Sequence, residues 1–100
     1  MPVMLIARFD GDVAVSTQAY DRAHERIMSR GGATGVGELR HHCATGDGAL
    51  YIIRVWDTEE RVRARWASED FERVLTSAGF PSPKMAEITI LQLHAIEPPL

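Results

Sequence analysis

The order in which strand-like and helix-like hydrophobic patterns follow one another is the feature that most constrains this chain. In chain order, the patterns predict a strand over 3–9, a helix over 16–30, strands over 38–44 and 49–56, a helix over 59–78 and a strand over 87–95. The order βαββαβ predicts a ferredoxin-like α+β fold with a four-stranded antiparallel sheet. Because this fold hosts many unrelated functions, it does not by itself indicate an activity.

Composition limits the classes of partner. We expect residues 1–100 to form a single domain, since 100 residues are too few to give two domains adequate cores. The formal charge of −3 and the mixing of arginines with acidic residues argue against a nucleic-acid partner. Cys43 is the only cysteine, and no apolar run approaches the roughly 20 residues of a membrane span. We therefore expect a cytoplasmic protein without a membrane partner.

The helix boundaries are marked by short polar residues. Ser16 or Thr17 is the predicted N-cap of the first helix. The second helix is predicted to begin at Asp57 or Thr58, to break near residue 67, and to resume with Ser68 as a fresh cap.

The four strands differ in how apolar they are. The first and third strands are the most apolar, which places them at the centre of the sheet, with the polar second strand at an edge. Simple alternation along the second strand puts Leu39, His41 and Cys43 on one face, with Glu38 and His42 on the other.

Both faces of the predicted sheet are apolar, but two helices on one side cover only one of them. A soluble monomer rarely exposes an apolar patch of several hundred Å². The pattern therefore predicts a homodimer in which the uncovered sheet faces pack together about a two-fold axis.

Two stretches resemble the dimeric α/β-barrel superfamily, especially its small antibiotic biosynthesis monooxygenase-like members. The first is the strand-to-helix segment 50–60, which ends in Val-Trp-Asp-Thr-Glu-Glu, and the second is the W-x-S-x-x-F segment from Trp66 to Phe71. The resemblance covers nearly the whole chain and implies a ligand pocket between sheet and helices. The superfamily includes cofactor-independent oxygenases, haem-degrading enzymes and muconolactone isomerase-like enzymes, together with members of unassigned activity.

Haem degradation is not expected. The resemblance to that branch would place Trp66 against a porphyrin, but it also requires an axial histidine further along the helix and an asparagine on the first strand. The helical region after Trp66 has no histidine, and the chain contains no asparagine. We expect no cofactor. Since no histidines and carboxylates stand at metal-ligand spacing, we expect no metal site either.

The candidate catalytic residues are His24 and Arg54. A neutral imidazole on the inner face of the first helix suits general-base work near its ordinary pKa of about 6.5. Arg54 stands among apolar residues of a central strand, so it needs a partner, either a protein carboxylate (Glu38, Asp57 or Glu87) or an anionic ligand. Each residue also has a purely structural interpretation, as a backbone-bonded histidine and an ion-paired arginine.

The candidate substrate-binding residues are Tyr20, Trp66 and one of the adjacent histidines, His41 or His42, which alternation places on opposite faces. Two functions remain open on these residues. One is a cofactor-independent monooxygenase-like enzyme, or an isomerase or cyclase, acting on a small aromatic or polyketide-like compound. The other is a non-catalytic ligand-binding or structural protein with the same fold.

Overall fold

The computed structural model describes residues 1–32 and 34–100, and its elements follow the predicted order. The elements are β1 Val3–Asp10, α1 Val13–Ser29, β2 Glu38–Gly46, β3 Ala49–Trp56, α2 Glu59–Ala67, α3 Glu69–Ser77 and β4 Glu87–Gln92. Two short 3₁₀ turns, Thr34–Val36 and Pro83–Met85, precede β2 and β4. The antiparallel sheet has the order β2-β3-β1-β4, which confirms the apolar strands at its centre and the polar strand at its edge.

Local chemistry explains most of the boundaries. Thr58 caps α2, and Ser68 both ends α2 and caps α3 by accepting a hydrogen bond from the Phe71 amide at 3.2 Å. The predicted break between the two helices is confirmed. The hairpin between β2 and β3 turns through Asp47 and Gly48, both at positive φ, as a two-residue turn requires.

Two boundaries were predicted wrongly. Helix α1 begins three residues earlier than expected, because the carboxylate of Asp12, and not Ser16 or Thr17, accepts a hydrogen bond from the Val15 amide at 3.0 Å. Strand β4 ends at Gln92 rather than at residue 95. Gln92 pairs with Val3, the first residue of β1, so the pairing of the two strands stops there.

The core lies between the helices and one face of the sheet. Val3, Leu5, Ala7 and Phe9 of β1 point into it and are at most 2% exposed. Opposite them in register are Trp56, Arg54, Ile52 and Leu50 of β3. Helix α1 approaches this face through Ala19 and Ala23. The other core-facing residues of the helices are Val62, Phe71, Val74 and Leu75.

Among the described residues, no helix is long and apolar enough to cross a membrane.

Candidate functional site

A cavity of about 300 Å³ lies between the helices and the β2–β3 side of the sheet. Its walls come from α1, β2, β3, α2 and α3, so it occupies the place that the resemblance implied. Its lining is mostly apolar, with a few polar side chains, as is usual for sites that bind small organic molecules. Of the candidate site residues, Tyr20, His24, His41, Arg54 and Trp66 line it.

Arg54 is buried on the central strand β3 and is fully occupied by the protein. Its Nε lies 3.4 Å from Oε2 of Glu38, and its Nη2 donates to the Tyr20 hydroxyl at 2.9 Å. Its Nη1 donates to the backbone carbonyl of His42. The carboxylate partner proposed from the sequence is therefore present. This arginine is a fixed part of the wall, with its charge already matched by Glu38.

A β-bulge places Glu38 on the same face as Arg54 and His41. The register of β2 against β3 shifts between Glu38 and Arg40, so Glu38 pairs with Trp56 and His41 pairs with Arg54. Simple alternation predicted Glu38 on the opposite face from His41, and that prediction was wrong because the bulge inserts one extra residue. The bulge brings a carboxylate to the helix-facing side of β2.

Glu38 bonds His41 as well as Arg54. Its Oε1 lies 2.8 Å from Nδ1 of His41. Since a carboxylate accepts only, Nδ1 carries a proton, and in the neutral form of the ring Nε2 is then the proton acceptor. The side chain of Glu38 is 14% exposed and that of His41 is 33% exposed, so this pair lies at the boundary between the cavity and solvent.

His24 completes a pair of imidazoles. Its ring stacks on Tyr20 with centroids 5.7 Å apart and meets the His41 ring edge-on at 4.6 Å. Burial lowers the pKa of His24, and so does the repulsion that a protonated His24 would meet from Arg54 and from a protonated His41. These surroundings favour the neutral form of His24.

Tyr20 and Trp66 enclose the histidines. Burial raises the pKa of Tyr20, so its hydroxyl stays protonated while it accepts the bond from Arg54. Trp66 packs against Phe71 with ring centroids 5.4 Å apart. Among the described residues, the buried indole N–H groups of Trp66 and of its neighbour in the wall, Trp56, find no hydrogen-bond acceptor.

Two histidines lie elsewhere. His42 pairs with Ile53 on the sheet face away from the helices, so His41 is the one of the two adjacent histidines that lines the cavity. His94 lies beyond the end of β4. Within residues 1–32 and 34–100, no three metal-binding side chains come together at a site that could hold an ion.

Sequence reasoning missed Arg65 as a wall residue. It stands in the last turn of α2, three residues after the buried Val62, which is the spacing of an inward-facing helical position. That spacing was the available signal. The guanidinium lies over the Phe71 ring, with Cζ 4.2 Å from the ring centroid. Burial lowers the pKa of Arg65.

No protein-family model matches the sequence, and neither does any curated protein. Solved structures do match over nearly the full length. SnoaB, a cofactor-independent oxygenase from Streptomyces nogalater, is 19% identical with a TM-score of 0.64, and 98% of each chain is covered. Rv0793 from Mycobacterium tuberculosis is 14% identical with a TM-score of 0.65, covering 97% of this chain and 99% of its own.

A proposed antibiotic biosynthesis monooxygenase from Deinococcus radiodurans is 10% identical with a TM-score of 0.63, and 98% of each chain is covered. At these identities the likeness is one of fold. The cavity lies where the resemblance to this superfamily implied, and the sheet order agrees as well. The chain therefore shares the fold of these small proteins.

Proposed function

We propose that the cavity binds a small aromatic compound with an acidic hydroxyl and removes its proton, as the first step of a cofactor-independent oxygenation. The observation that carries the proposal is the bond between Glu38 and His41. A histidine whose Nδ1–H is held by a carboxylate has a defined tautomer that presents Nε2 as the proton acceptor, which is the usual arrangement of a general base.

The residues around His41 have separate roles in the proposed proton transfer. Nε2 of His41 accepts the proton, and the resulting imidazolium stays bonded to Glu38. His24, whose pKa is lowered, remains neutral beside it, because two adjacent imidazoles resist carrying charge together. Arg54 holds Glu38 and Tyr20 in place, and through Glu38 it fixes the position of His41.

The anion supplies the electrons for the second step. In a phenolate or enolate, a ring or methylene carbon attacks dioxygen and forms a carbon–oxygen bond. The resulting hydroperoxide then loses water, so that one oxygen atom ends as a carbonyl and the other as water. All four electrons that reduce dioxygen come from the substrate. The fold shared with SnoaB, a cofactor-independent oxygenase, supports this reaction class over an isomerisation that would use the same base.

One observation favours the second candidate function, a non-catalytic ligand-binding protein. The Arg54 guanidinium pairs with Glu38 and donates to Tyr20 and the His42 carbonyl, so its buried charge is matched without a ligand. The carboxylate-bonded histidine favours the enzyme over this alternative, because a binding protein does not need a defined imidazole tautomer.

Oxygen uptake tests the proposed reaction. With 1,5-dihydroxynaphthalene as the probe and no added cofactor, the protein should consume one dioxygen for each hydroxynaphthoquinone and each water formed. His41→Gln should abolish the uptake, whereas His94→Gln, which changes a histidine outside the cavity, should retain it. Equal rates for His41→Gln and the wild type would refute the role of His41.

We also propose that the protein is a homodimer and that it is located in the cytoplasm. The sheet face away from the helices carries Met4, Ile6, Ile53 and Leu91, an apolar surface that suits a second copy of the chain. A single cysteine, and hence no intrachain disulfide, supports the cytoplasm.

A further inference from the structure

We propose that the natural ligand of the cavity is an anion, a flat aromatic carboxylate whose carboxylate group binds Arg65. This inference rests on the proposed function and adds the chemical class of the substrate. It makes Arg65 a specificity-determining residue that the reaction scheme does not otherwise use.

The cavity wall has more positively charged than negatively charged side chains. Glu38 is the single carboxylate among the lining residues that the structure describes, against Arg40, Arg54 and Arg65. Glu38 pairs with Arg54 and His41. Arg40 donates hydrogen bonds to the backbone carbonyls of Pro98 and Pro99 in the C-terminal tail. In a chain of net charge −3, this wall has a local surplus of positive charge.

Arg65 and Arg40 both lack an anionic partner among the described residues, but Arg40 is held by two backbone carbonyls and Arg65 is not. Arg65 forms no ion pair within the part of the chain that the structure describes. The two carboxylates whose charges act on Arg65 pair with other residues: Glu38 with Arg54 and His41, and Asp70 with Arg30 and Arg73. A partly buried guanidinium with free donors is a ready binding site for a carboxylate, which it can hold through two parallel hydrogen bonds.

The surroundings of Arg65 specify a flat ligand. The guanidinium lies over the Phe71 ring, with Cζ 4.2 Å from the ring centroid. The same cavity is also lined by the aromatic rings of Trp56, Trp66 and Tyr20. An aromatic body can stack against these rings while its carboxylate reaches Arg65 on α2. The acidic hydroxyl of the same molecule then faces the histidines of α1 and β2.

Calorimetric titration with a matched pair of ligands tests this inference. The probes are 2-naphthoate and its neutral isostere 2-naphthamide, and the quantity compared is the ratio of their dissociation constants for each folded variant. The wild type should prefer the carboxylate by roughly 10- to 100-fold, the range for hydrogen bonds to a charged group. Arg65→Gln should reduce that preference to near unity. Arg65→Lys should retain part of it.

Arg63→Gln is the matched control, since Arg63 lies on the same helix, is exposed and pairs with Glu59. It should leave the preference unchanged. Equal binding of the two ligands to the wild type, or an unchanged preference in Arg65→Gln, would overturn the inference and leave the proton-abstracting cavity intact. If neither ligand binds, the cavity is not a site for aromatic compounds, and both proposals fail.

Discussion

Glu38 is the residue on which the geometry of the site most depends. One carboxylate bonds the buried Arg54 through Oε2 and orients His41 through Oε1. Removing one member of a buried ion pair leaves the other charge uncompensated, which costs more than the pair contributes. The folded state therefore tolerates the buried Arg54 largely because Glu38 is present.

Glu38→Gln should lower the free energy of unfolding by about 2–3 kcal/mol, because the shape is kept while the charge opposite Arg54 is lost. Urea denaturation followed by circular dichroism measures this difference. Glu59→Gln removes a carboxylate from an exposed pair with Arg63 and should cost less than about 0.5 kcal/mol. Equal effects of the two substitutions would mean that the Glu38–Arg54 pair is not buried as described.

His24 should make stability depend on pH. Its folded-state pKa is lowered by burial and by His41 and Arg54, and is raised in part by Glu38 and Asp21. The unfolded chain therefore binds more protons than the folded protein as the pH falls below about 6.5. The stability gained by keeping His24 neutral is complete above that pH and is lost as the pH falls through the folded-state pKa.

The test of this dependence is the melting temperature, Tm, between pH 7.5 and pH 5. His24→Gln should show a smaller fall in Tm over this range than the wild type, because the substituted side chain takes up no proton. His94→Gln should keep the wild-type slope. A His24→Gln slope as steep as that of the wild type would show that His24 is not held neutral by the fold.

Sequence reasoning predicted the chemistry of these residues better than their arrangement. Arg54 among apolar neighbours indicated a partner, and Glu38 was one of the candidates for it. The sequence did not predict that Glu38 also bonds His41, since the bulge that brings them together leaves no periodic signal. Arg65 was missed because the inner stripe of α2 was assigned only to its apolar residues.

At the scale of elements, the start of β2 is the feature that shapes the site. Gly37 precedes the bulge with φ of +111°, and its carbonyl accepts a hydrogen bond from the Asp57 amide at 3.0 Å. A Cβ at Gly37 would collide with the Asp57 carboxylate and would lie 2.8 Å from Cδ of Arg61. The turn therefore requires glycine, both for its backbone conformation and for its contact with the start of α2.

Gly37→Ala should destabilise the protein by roughly 1–3 kcal/mol, the cost of a strained non-glycine backbone with a steric clash. Gly35→Ala is the control, because a Cβ there meets nothing within 4 Å. It should change the unfolding free energy by less than about 0.5 kcal/mol. If Gly37→Ala were as stable as the wild type, the turn would not be fixed as described.

The elements themselves were largely predictable. The alternation in β1 and β3, the hairpin at Asp47-Gly48 and the cap at Ser68 are local signals, and each was confirmed. The start of α1 was not found, because Asp12 and Ser16 are both good capping residues and periodicity does not choose between them. The choice depends on where β1 ends and how closely α1 can follow it.

At the scale of the whole molecule, the helices leave one sheet face without a cover. The dimer proposal predicts that sedimentation equilibrium gives twice the mass of the chain. Ile53→Glu, which places a charge at the centre of that face, should give a monomer that remains folded. Val15→Glu changes an exposed residue of α1 and should leave a dimer. A wild-type protein that stays monomeric at 100 µM would contradict the proposed sheet-to-sheet packing.

The central claim is that the cavity holds a base that ionises an acidic phenol, and the absorbance of bound 7-hydroxycoumarin tests it most directly. The phenol and phenolate forms absorb at different wavelengths, so a pH titration gives the pKa of the bound hydroxyl. The account predicts a pKa below that of the free compound, with the shift lost in His41→Gln and kept in His42→Gln. A bound hydroxyl that titrates like the free one, or equal titrations of the two variants, would contradict it.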